Sequence, residues 1–350
     1  MRVGTGRFLA GPVSGLLALG LVASPLHADA QGTGRVPRIG VLCPWRCPTP
    51  PRERPSPPLS EINPDNLMAD EAFRLGLRDL GYLEGQTIVI EWRSAMGHYD
   101  RLPDLAADLV RLKIDVLVTV GAPWLRAFAQ ANRAVPIVLA QVADPVMGGL
   151  VTSLARPGGN ITGLSLPSHE LEGKQLELLK EVVPGLSRVA VLYNPDNPAS
   201  RPHLRETEGV ARALGIELHF VPFRGPADVE AAFSAIREGR AGALLLHPDF
   251  VILTHQVRLV EFARKSRLPT ISEFRDLVEL GGLMTYGPNA NDMFRRAAAY
   301  VDKILKGAKP GDLPMEQPMR FELVVNLGVA KALGLMIPQS IRIRADREIQ

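Results

Sequence analysis

Carboxylate side chains follow three short apolar runs of this sequence, and they are Asp144, Asp196 and Asp249. A buried carboxylate can pair with the ammonium group of a small molecule, because an unpaired buried charge costs several kcal/mol. The same residue types also form turns and helix caps for local reasons. Asp144 precedes a proline, and Asp196 belongs to an Asn-Pro-Asp-Asn-Pro motif at 194–198. Ammonium binding and a local structural role are therefore both open.

A second group of residues could contact a flat or polar solute. Trp124 follows a Gly-Ala-Pro sequence at the expected start of a helix, where its indole could stack on a ligand or pack beneath the helix. Tyr286 could reach a solute only from the floor of a pocket, and for His247 we favour a structural role as a hydrogen-bonded imidazole. The candidate ligand-binding residues are Gly121, Ala122, Trp124, Gln141, Asp144, Asn194, Asp196, Asn197, Asp249, Ser272 and Tyr286.

Motifs of the common enzyme and cofactor-binding classes are missing. The sequence has no Gly-x-Ser-x-Gly nucleophile elbow, no His-Glu-x-x-His zinc motif and no Gly-x-x-x-x-Gly-Lys-Ser/Thr phosphate loop. Its two cysteines are too few for a four-cysteine zinc site or a disulfide scaffold. We therefore expect no enzymatic activity, no metal and no cofactor.

Length and charge narrow the class of protein. The chain has 350 residues, 46% of them hydrophobic, and its 40 Lys and Arg against 37 Asp and Glu leave a net charge of +3. This length suffices for about two domains with hydrophobic cores. The small net charge does not indicate a nucleic-acid partner.

Two halves of the sequence repeat one order of strands and helices. Short apolar runs alternate with amphipathic segments, which is typical of βαβ units and parallel sheets. The first half predicts strands at 38–42, 87–92, 114–120 and 136–141, with helices at 68–80, 102–112 and from 123. The second half predicts strands at 189–193, 216–221, 243–246 and 269–272, with helices at 199–214, 226–238 and 254–266. The pattern predicts an α/β fold with two doubly wound parallel-sheet lobes.

The facing loops of these two lobes are where we expect a ligand. Ligands of open parallel sheets bind outside the carboxyl ends of the strands, where the loops diverge and helix N-termini point into the crevice. The loops expected to face one another are 43–66, 121–124 and 141–145 in the first lobe and 193–200, 247–250 and 272–275 in the second.

The first thirty residues have the order of a secretory signal peptide. Arg2 and Arg7 precede an uncharged, mostly apolar run at 8–23, and Ala28 and Ala30 supply small residues for cleavage after residue 30. The apolar run is shorter than the roughly 20 residues that a membrane span needs. We expect cleavage near Ala30 and export across the membrane, with an uncleaved amphiphilic anchor as the alternative.

Several of these segments also carry a family resemblance. The stretches ADPVMGGLV, ARPGGNITGLS and NPDNP are specific in combination, and likeness extends through 72–121, 136–165, 174–198, 281–289 and 294–340. Together they resemble the substrate-binding proteins of bacterial ABC-type uptake systems, in particular the group whose better-known members bind aromatic amino acids. The resemblance covers most of the chain that follows the signal peptide.

The resemblance implies a type I periplasmic-binding-protein fold, with two α/β lobes joined by three crossings. The crossings are expected near 155–162, 286–289 and 317–322, with Pro157-Gly158-Gly159 suited to the first as a hinge. The first lobe would consist of residues 36–158 and 287–319, and the second of residues 160–286 and 320–342. It further implies a periplasmic, monomeric protein whose partners are a small-molecule solute and a membrane permease.

One segment departs from the family pattern. About two dozen Pro-rich residues at 43–66 are inserted where relatives have a short loop, on the side where ligand should bind. Within it, Cys43 and Cys47 could form a disulfide in an exported protein, provided the chain turns to bring their Cα atoms within ~7 Å. Two free thiols or a partner-bound pair are the alternatives.

The leading hypothesis is an extracytoplasmic receptor of an ABC importer. It would capture a small molecule, such as an aromatic or other amino acid or a flat carboxylate, between two closing lobes. A sensory module that presents the solute to a membrane sensor is the alternative, followed by an exported α/β enzyme.

Overall fold

The computed structural model describes residues 35–44, 69–96, 98–197, 200–318 and 320–350, without the side chains of His169 and Pro202. The expected signal peptide, most of the 43–66 insertion and Cys47 lie outside these residues, so the predictions made for them stay predictions. No helix in the described ranges is long and apolar enough to cross a membrane.

The first sheet contains five parallel strands in the order β2-β1-β3-β4-β5. They are β1 (Arg38–Cys43), β2 (Val89–Ser94), β3 (Val116–Val120), β4 (Ile137–Ala143) and β5 (Ile161–Leu166). The helices between them are α1 (Ala69–Asp79), α2 (Leu102–Arg111) and α3 (Ala122–Ala131). The central strands are buried along their length, which explains why they are continuous apolar runs rather than alternating ones.

The second sheet has seven strands in the order β12-β11-β10-β9-β8-β6-β7. They are β6 (Arg188–Tyr193), β7 (Glu217–Pro222), β8 (Ala243–Leu246), β9 (Thr270–Ser272), β10 (Met284–Pro288), β11 (Phe321–Asn326) and β12 (Arg347–Ile349). The remaining helices are α4 (Ser168–Val182), α5 (Ser200–Ala213), α6 (Val229–Glu238), α7 (Phe250–Thr254), α8 (Gln256–Lys265), α9 (Asp276–Glu279), α10 (Ala290–Leu305), α11 (Leu327–Leu333) and α12 (Gln339–Arg344). All neighbouring strands pair in parallel except β10 and β11.

The duplication seen in the sequence is present in the sheet topology. The order β7-β6-β8-β9-β10 in the second sheet repeats the order β2-β1-β3-β4-β5 in the first. The predicted α/β fold with two parallel-sheet lobes is confirmed.

The chain passes between the lobes at places that differ in part from the prediction. Strand β5 pairs with β4 and extends the first sheet, so the first crossing lies at Pro167, between β5 and α4, and not near 155–162. Residues 160–166 accordingly belong to the first lobe. The Pro157-Gly158-Gly159 segment is a turn ahead of β5, and Gly158 and Gly159 take positive φ angles of 74° and 62° there. The chain returns through Asn289, and again between Glu316, which bridges to Leu164, and the start of β11.

Helix α10 shows why these crossings matter for the core. It follows β10 of the second sheet, yet its buried face, which includes Met293, Phe294 and Ala297, packs into the core of the first lobe. Gly76 of α1 permits this packing, because a Cβ atom there would lie 2.6 Å from the carbonyl oxygen of Arg295.

Candidate functional site

A small pocket lies where the loops after β3, β4, β8 and β9 meet between the two sheets. Its first-lobe wall is formed by Tyr99, Gly121, Ala122, Pro123, Gln141, Ala143 and Leu166. Its second-lobe wall is formed by Asn197, Pro248, Asp249, Phe250, Glu273 and Phe274. The pocket measures about 40 Å³, whereas pockets that hold small organic ligands measure roughly 300–1,000 Å³. The lobes are therefore closed against each other, and these walls must move to admit a solute.

Aromatic side chains from both lobes meet around this pocket. The centroid of the Phe250 ring lies 6.3 Å from that of the Trp124 ring in an edge-to-face arrangement, and the Tyr99 ring lies 5.7 Å from the Trp124 ring in a tilted one. Phe274 lies 6.2 Å from Phe250. Trp124 is fully buried and is not among the residues that line the pocket, so its indole packs beneath the pocket wall. The aromatic residues that line the pocket are Tyr99, Phe250 and Phe274.

Gly121 sets the position of the first-lobe wall. Its φ of 62° is one that glycine adopts without strain, and it lets the chain turn from β3 directly into α3. Its N–H donates to the carbonyl of Gln141 at 2.8 Å, which fixes the turn to β4. A Cβ atom at this position would lie 3.2 Å from the Phe250 ring, so glycine also lets the second lobe approach.

The Asp249 carboxylate is hydrogen-bonded on every side. It caps α7 by accepting from the Val251 N–H at 2.8 Å, and it accepts from Asn194 Nδ2 at 3.1 Å and Asn197 Nδ2 at 2.9 Å. The Tyr99 hydroxyl of the opposite lobe donates to it at 3.2 Å. Burial raises the pKa of Asp249, although the amide and backbone donors oppose the shift. Burial, followed by the nearby Asp249, likewise raises the pKa of Tyr99.

Asp144 forms a second polar contact between the lobes. Its Oδ2 lies 3.0 Å from Nε2 of His203 on α5, and both side chains are at most 9% exposed. The backbone of Asp144 takes a φ of 38°, a left-handed conformation in which Asp and Asn are enriched among the non-glycine residues. The turn after β4 thereby directs this carboxylate toward the second lobe.

Glu172 and His247 form a buried ion pair behind the second-lobe wall. Glu172 on α4 accepts from the Thr207 hydroxyl and contacts His247 Nδ1, and all three side chains are buried. Burial opposes the ionisation of Glu172, but His247 and Thr207 outweigh it and lower the pKa of this carboxyl. Burial also opposes the charge on His247, but Glu172 outweighs it and raises the pKa of the imidazole.

Glu273 differs from Asp249, Asp144 and Glu172, because few hydrogen bonds or charges stabilise its ionised form. The residue directly follows β9, is 6% exposed and lines the pocket. Among the described residues its carboxylate accepts one hydrogen bond, from Gln141 Nε2 at a long 3.4 Å. Burial, reinforced by the charge of Glu172, raises the pKa of Glu273 to about 8. Glu273 is therefore a buried acid on the pocket wall whose carboxylate accepts a single long hydrogen bond.

Residues 63–349 match the protein-family model described as ABC transporter substrate binding protein. The chain belongs to this family. The predicted resemblance is confirmed, and the members of this family bind substrates rather than transform them.

Known proteins similar to this substrate-binding protein agree with that assignment. The "Tyrosine-binding protein" of Clostridioides difficile (strain R20291) is 27% identical over 267 residues, 76% of each chain. The crystal structure of a conserved domain protein from Vibrio cholerae is 27% identical, covers 90% of this chain and 100% of its own, and has a TM-score of 0.79. An ABC domain from Streptococcus pneumonia in complex with L-Trp is 24% identical, covers 89% of this chain and 100% of its own, and has a TM-score of 0.76, which shows the shared fold.

The structure brings many of the sequence-predicted residues of this substrate-binding protein together and places others elsewhere. Those that line the pocket are Gly121, Ala122, Gln141, Asn197 and Asp249. Asn194 lies behind Asp249, and the hydroxyl of Ser272 accepts from the Phe274 N–H at 3.3 Å. The Asp196 side chain is 61% exposed beside Arg224. Tyr286 packs against Phe321 rather than into the pocket.

Four aromatic or charged residues that line the pocket of this substrate-binding protein were not singled out from its sequence. Phe250, Glu273 and Phe274 lie within the predicted facing loops 247–250 and 272–275. Glu273 could have been found from the sequence, because it is a charged residue directly after a predicted strand. Tyr99 lies in a 3-10 helix before α2, and no sequence pattern marked it.

Cys43 is buried, and its predicted disulfide with Cys47 lies outside the described residues. In the part of the chain that the structure describes, no group of three or more His, Cys, Asp or Glu side chains could hold a metal ion.

Proposed function

We propose that this protein is the solute receptor of an ABC importer and that it captures an aromatic amino acid between its two lobes. The observation that carries the proposal is the pocket at the contact of the lobes, because its walls combine aromatic rings with buried carboxylates. Rings from both lobes can stack on a flat side chain, and a carboxylate can pair with an ammonium group. The names of the relatives support this choice of solute, since one is called tyrosine-binding and another holds L-Trp.

The charges of the pocket-lining residues favour an amino acid over a flat carboxylate, the other solute class that the sequence leaves open. No lysine or arginine lines the pocket in the described part of the chain, whereas two acidic residues do. A carboxylate without an ammonium group would therefore bring an uncompensated negative charge into a poorly solvated space, which costs free energy. A zwitterion brings the compensating positive charge.

Binding is coupled to closure in the proposed mechanism. A ligand shifts the balance between open and closed forms only by its difference in affinity for the two, so it must touch both lobes. The Tyr99–Asp249 hydrogen bond and the Asp144–His203 contact hold the closed form in the absence of solute. A bound amino acid would replace the contact of Phe250 with Gly121 by contacts of its own with both walls.

The transport role places the protein outside the cytoplasm. After removal of the signal peptide near Ala30, a monomeric receptor would bind its solute without transforming it, and the closed form would dock on a membrane permease. Genes for a permease and an ATPase beside the gene of this protein would support import, and a neighbouring sensor kinase gene would favour the sensory alternative.

A panel of amino acids tests the proposal directly. The mature protein is purified, refolded to remove any co-purified solute, and its melting temperature is measured with L-tyrosine, L-tryptophan, L-phenylalanine, L-leucine and 3-(4-hydroxyphenyl)propionate. A solute at 100 times its Kd stabilises the folded form by ~2.7 kcal/mol. At ~2–4 °C per kcal/mol for a protein of this size, the aromatic amino acids should raise the melting temperature by several degrees. No shift with any aromatic amino acid, or a larger one with the propionate, would contradict the proposal.

A further inference from the structure

Four buried acids lie at or near the pocket, and three of them have a structural partner. Asp144 contacts His203, and Glu172 contacts His247. Asp249 accepts hydrogen bonds from four donors, including one from the opposite lobe. These three carboxylates are occupied in holding the closed lobes and the second-lobe loops in place.

Glu273 is the remaining acid, and it lines the pocket itself. Its hydrogen bond from Gln141 Nε2 is long, at 3.4 Å, and comes from a neutral amide. An ionised carboxylate that is nearly fully buried needs a cation or several strong donors. No lysine or arginine lines the pocket in the described ranges. The nearby cation is His247, which is already paired with Glu172, so a positive charge paired with Glu273 itself would come from the solute.

Resting on the function proposed above, we propose that Glu273 receives the ammonium group of the solute, and that a solute without a cationic nitrogen binds weakly. Asp249 lies on the same wall, but its acceptor positions are taken. Glu273 is thereby the residue that makes the receptor selective for amines.

Proton release follows from the surroundings of Glu273. The groups that face it are Glu172 on α4, His247 after β8, Asp144 after β4 and Gln141 on β4. Burial, followed by the charges of Glu172 and Asp144, favours the protonated form, and His247 opposes it only in part. With a pKa of about 8, Glu273 is mostly a carboxylic acid at neutral pH before the solute binds. An arriving ammonium stabilises the carboxylate, so the carboxyl proton leaves to solvent as the pair forms.

Paired variants and matched probes test this role. Glu273→Gln keeps the size and the hydrogen-bonding capacity of the side chain but removes the ionisable group. Glu230→Gln is the matched control, because it makes the same chemical change at an exposed position on α6 of the same lobe. The probes are L-tyrosine, tyramine, which retains the amine but lacks the carboxylate, and 3-(4-hydroxyphenyl)propionate, which retains the carboxylate but lacks the amine. Circular dichroism checks that each variant is folded.

Calorimetry should show a loss confined to the amines. Removing one partner of a desolvated charge pair costs 2 kcal/mol or more, so Glu273→Gln should weaken L-tyrosine and tyramine at least ~30-fold and leave the propionate no weaker. Glu230→Gln should bind all three probes as the wild type does. Equal binding of L-tyrosine by the wild type and Glu273→Gln would overturn the role of Glu273 alone. Failure of every probe to bind the wild type would overturn the proposed function as well.

The number of protons released on binding provides a second test, because a purely structural role of Glu273 would not change it. Titrations at pH 7 in buffers of different ionisation enthalpy should show close to one proton released per L-tyrosine bound to the wild type, and none for Glu273→Gln. The wild-type affinity should fall about tenfold for each pH unit below about 8, and this slope should be absent in the variant. An unchanged slope in Glu273→Gln would assign the proton to His247 or Glu172 and overturn the inference.

Discussion

The loops after β8 and β9 both place a buried acid at the pocket, yet the two acids differ in the number of hydrogen bonds that they accept. Asp249, after β8, accepts hydrogen bonds from a backbone N–H, two asparagine amides and the Tyr99 hydroxyl. Glu273, after β9, accepts one long hydrogen bond. Both acids have raised pKa values because both are buried. The number of donors aimed at each acid, rather than its burial, separates a structural acid from one that is available to a ligand.

This difference has a consequence for stability as well as for binding. A carboxylate with a complete set of donors stabilises the fold, because its loss strands those donors in a buried environment. A buried carboxylate without donors costs folding free energy whenever it ionises. The two acids should therefore respond to substitution in opposite directions.

The largest effect is expected from Asp249→Ala. Tyr99 and Asn194 would lose their acceptor, and α7 would lose its cap; buried polar groups left unsatisfied cost about 1–3 kcal/mol each. We expect the free energy of unfolding, measured by urea denaturation, to fall by about 4 kcal/mol. Asp196→Ala, at an exposed position, should change it by less than about 0.5 kcal/mol. If Asp249→Ala is as stable as this control, the structural role of Asp249 is wrong.

Glu273→Gln should change stability in the opposite direction, and the change should depend on pH. The folded pKa of about 8 lies above the ordinary value of 4.5, so the stability that the protonated form contributes is complete below about pH 4.5 and is lost as the pH rises toward 8. The ligand-free variant should match the wild type near pH 4.5 and exceed its unfolding free energy by about 3 kcal/mol near pH 7. If the difference in unfolding free energy between the variant and the wild type is the same at pH 4.5 and pH 7, Glu273 is not a buried acid whose ionisation costs folding free energy.

A smaller effect is expected where the two lobes meet at Asp144. Asn also tolerates the positive φ of this position, so Asp144→Asn keeps the turn and replaces only the charged partner of His203. We expect a loss of about 1 kcal/mol in unfolding free energy and a larger radius of gyration for the ligand-free protein in small-angle scattering. Lys174→Gln, on the exposed face of α4, is the control and should leave the scattering curve unchanged. A scattering curve that stays the same for both variants would show that this contact does not hold the lobes together.

Much of this architecture could be predicted from sequence because it depends on local patterns. Apolar runs separated by amphipathic segments placed the strands of both sheets. The rule that ligands bind at the carboxyl ends of parallel strands selected loops that line the pocket, around Gly121, Gln141 and Asp249. The first crossing was placed too early, because the glycines at 158–159 are equally suited to a turn and a hinge, and pairing with β4 decides between them.

The acid that we propose as the partner of the ligand, Glu273, could not be predicted in the same way. Asp144, Asp196 and Asp249 were singled out because they follow apolar runs, but their partners come from distant parts of the sequence. Tyr99 is 150 residues from Asp249. Which carboxylates are already satisfied is decided by such long-range contacts, and no local pattern records them.

A crystal structure of the protein with L-tyrosine tests the central claim most directly. The account predicts an amino acid between the lobes, with its ammonium nitrogen within about 3.2 Å of a Glu273 carboxylate oxygen and its ring in contact with residues of both walls. Asp249 should keep its hydrogen bonds from Asn194 and Asn197. L-tyrosine bound to one lobe alone, or with its ammonium group paired to Asp249 while Glu273 remains unpartnered, would contradict the account.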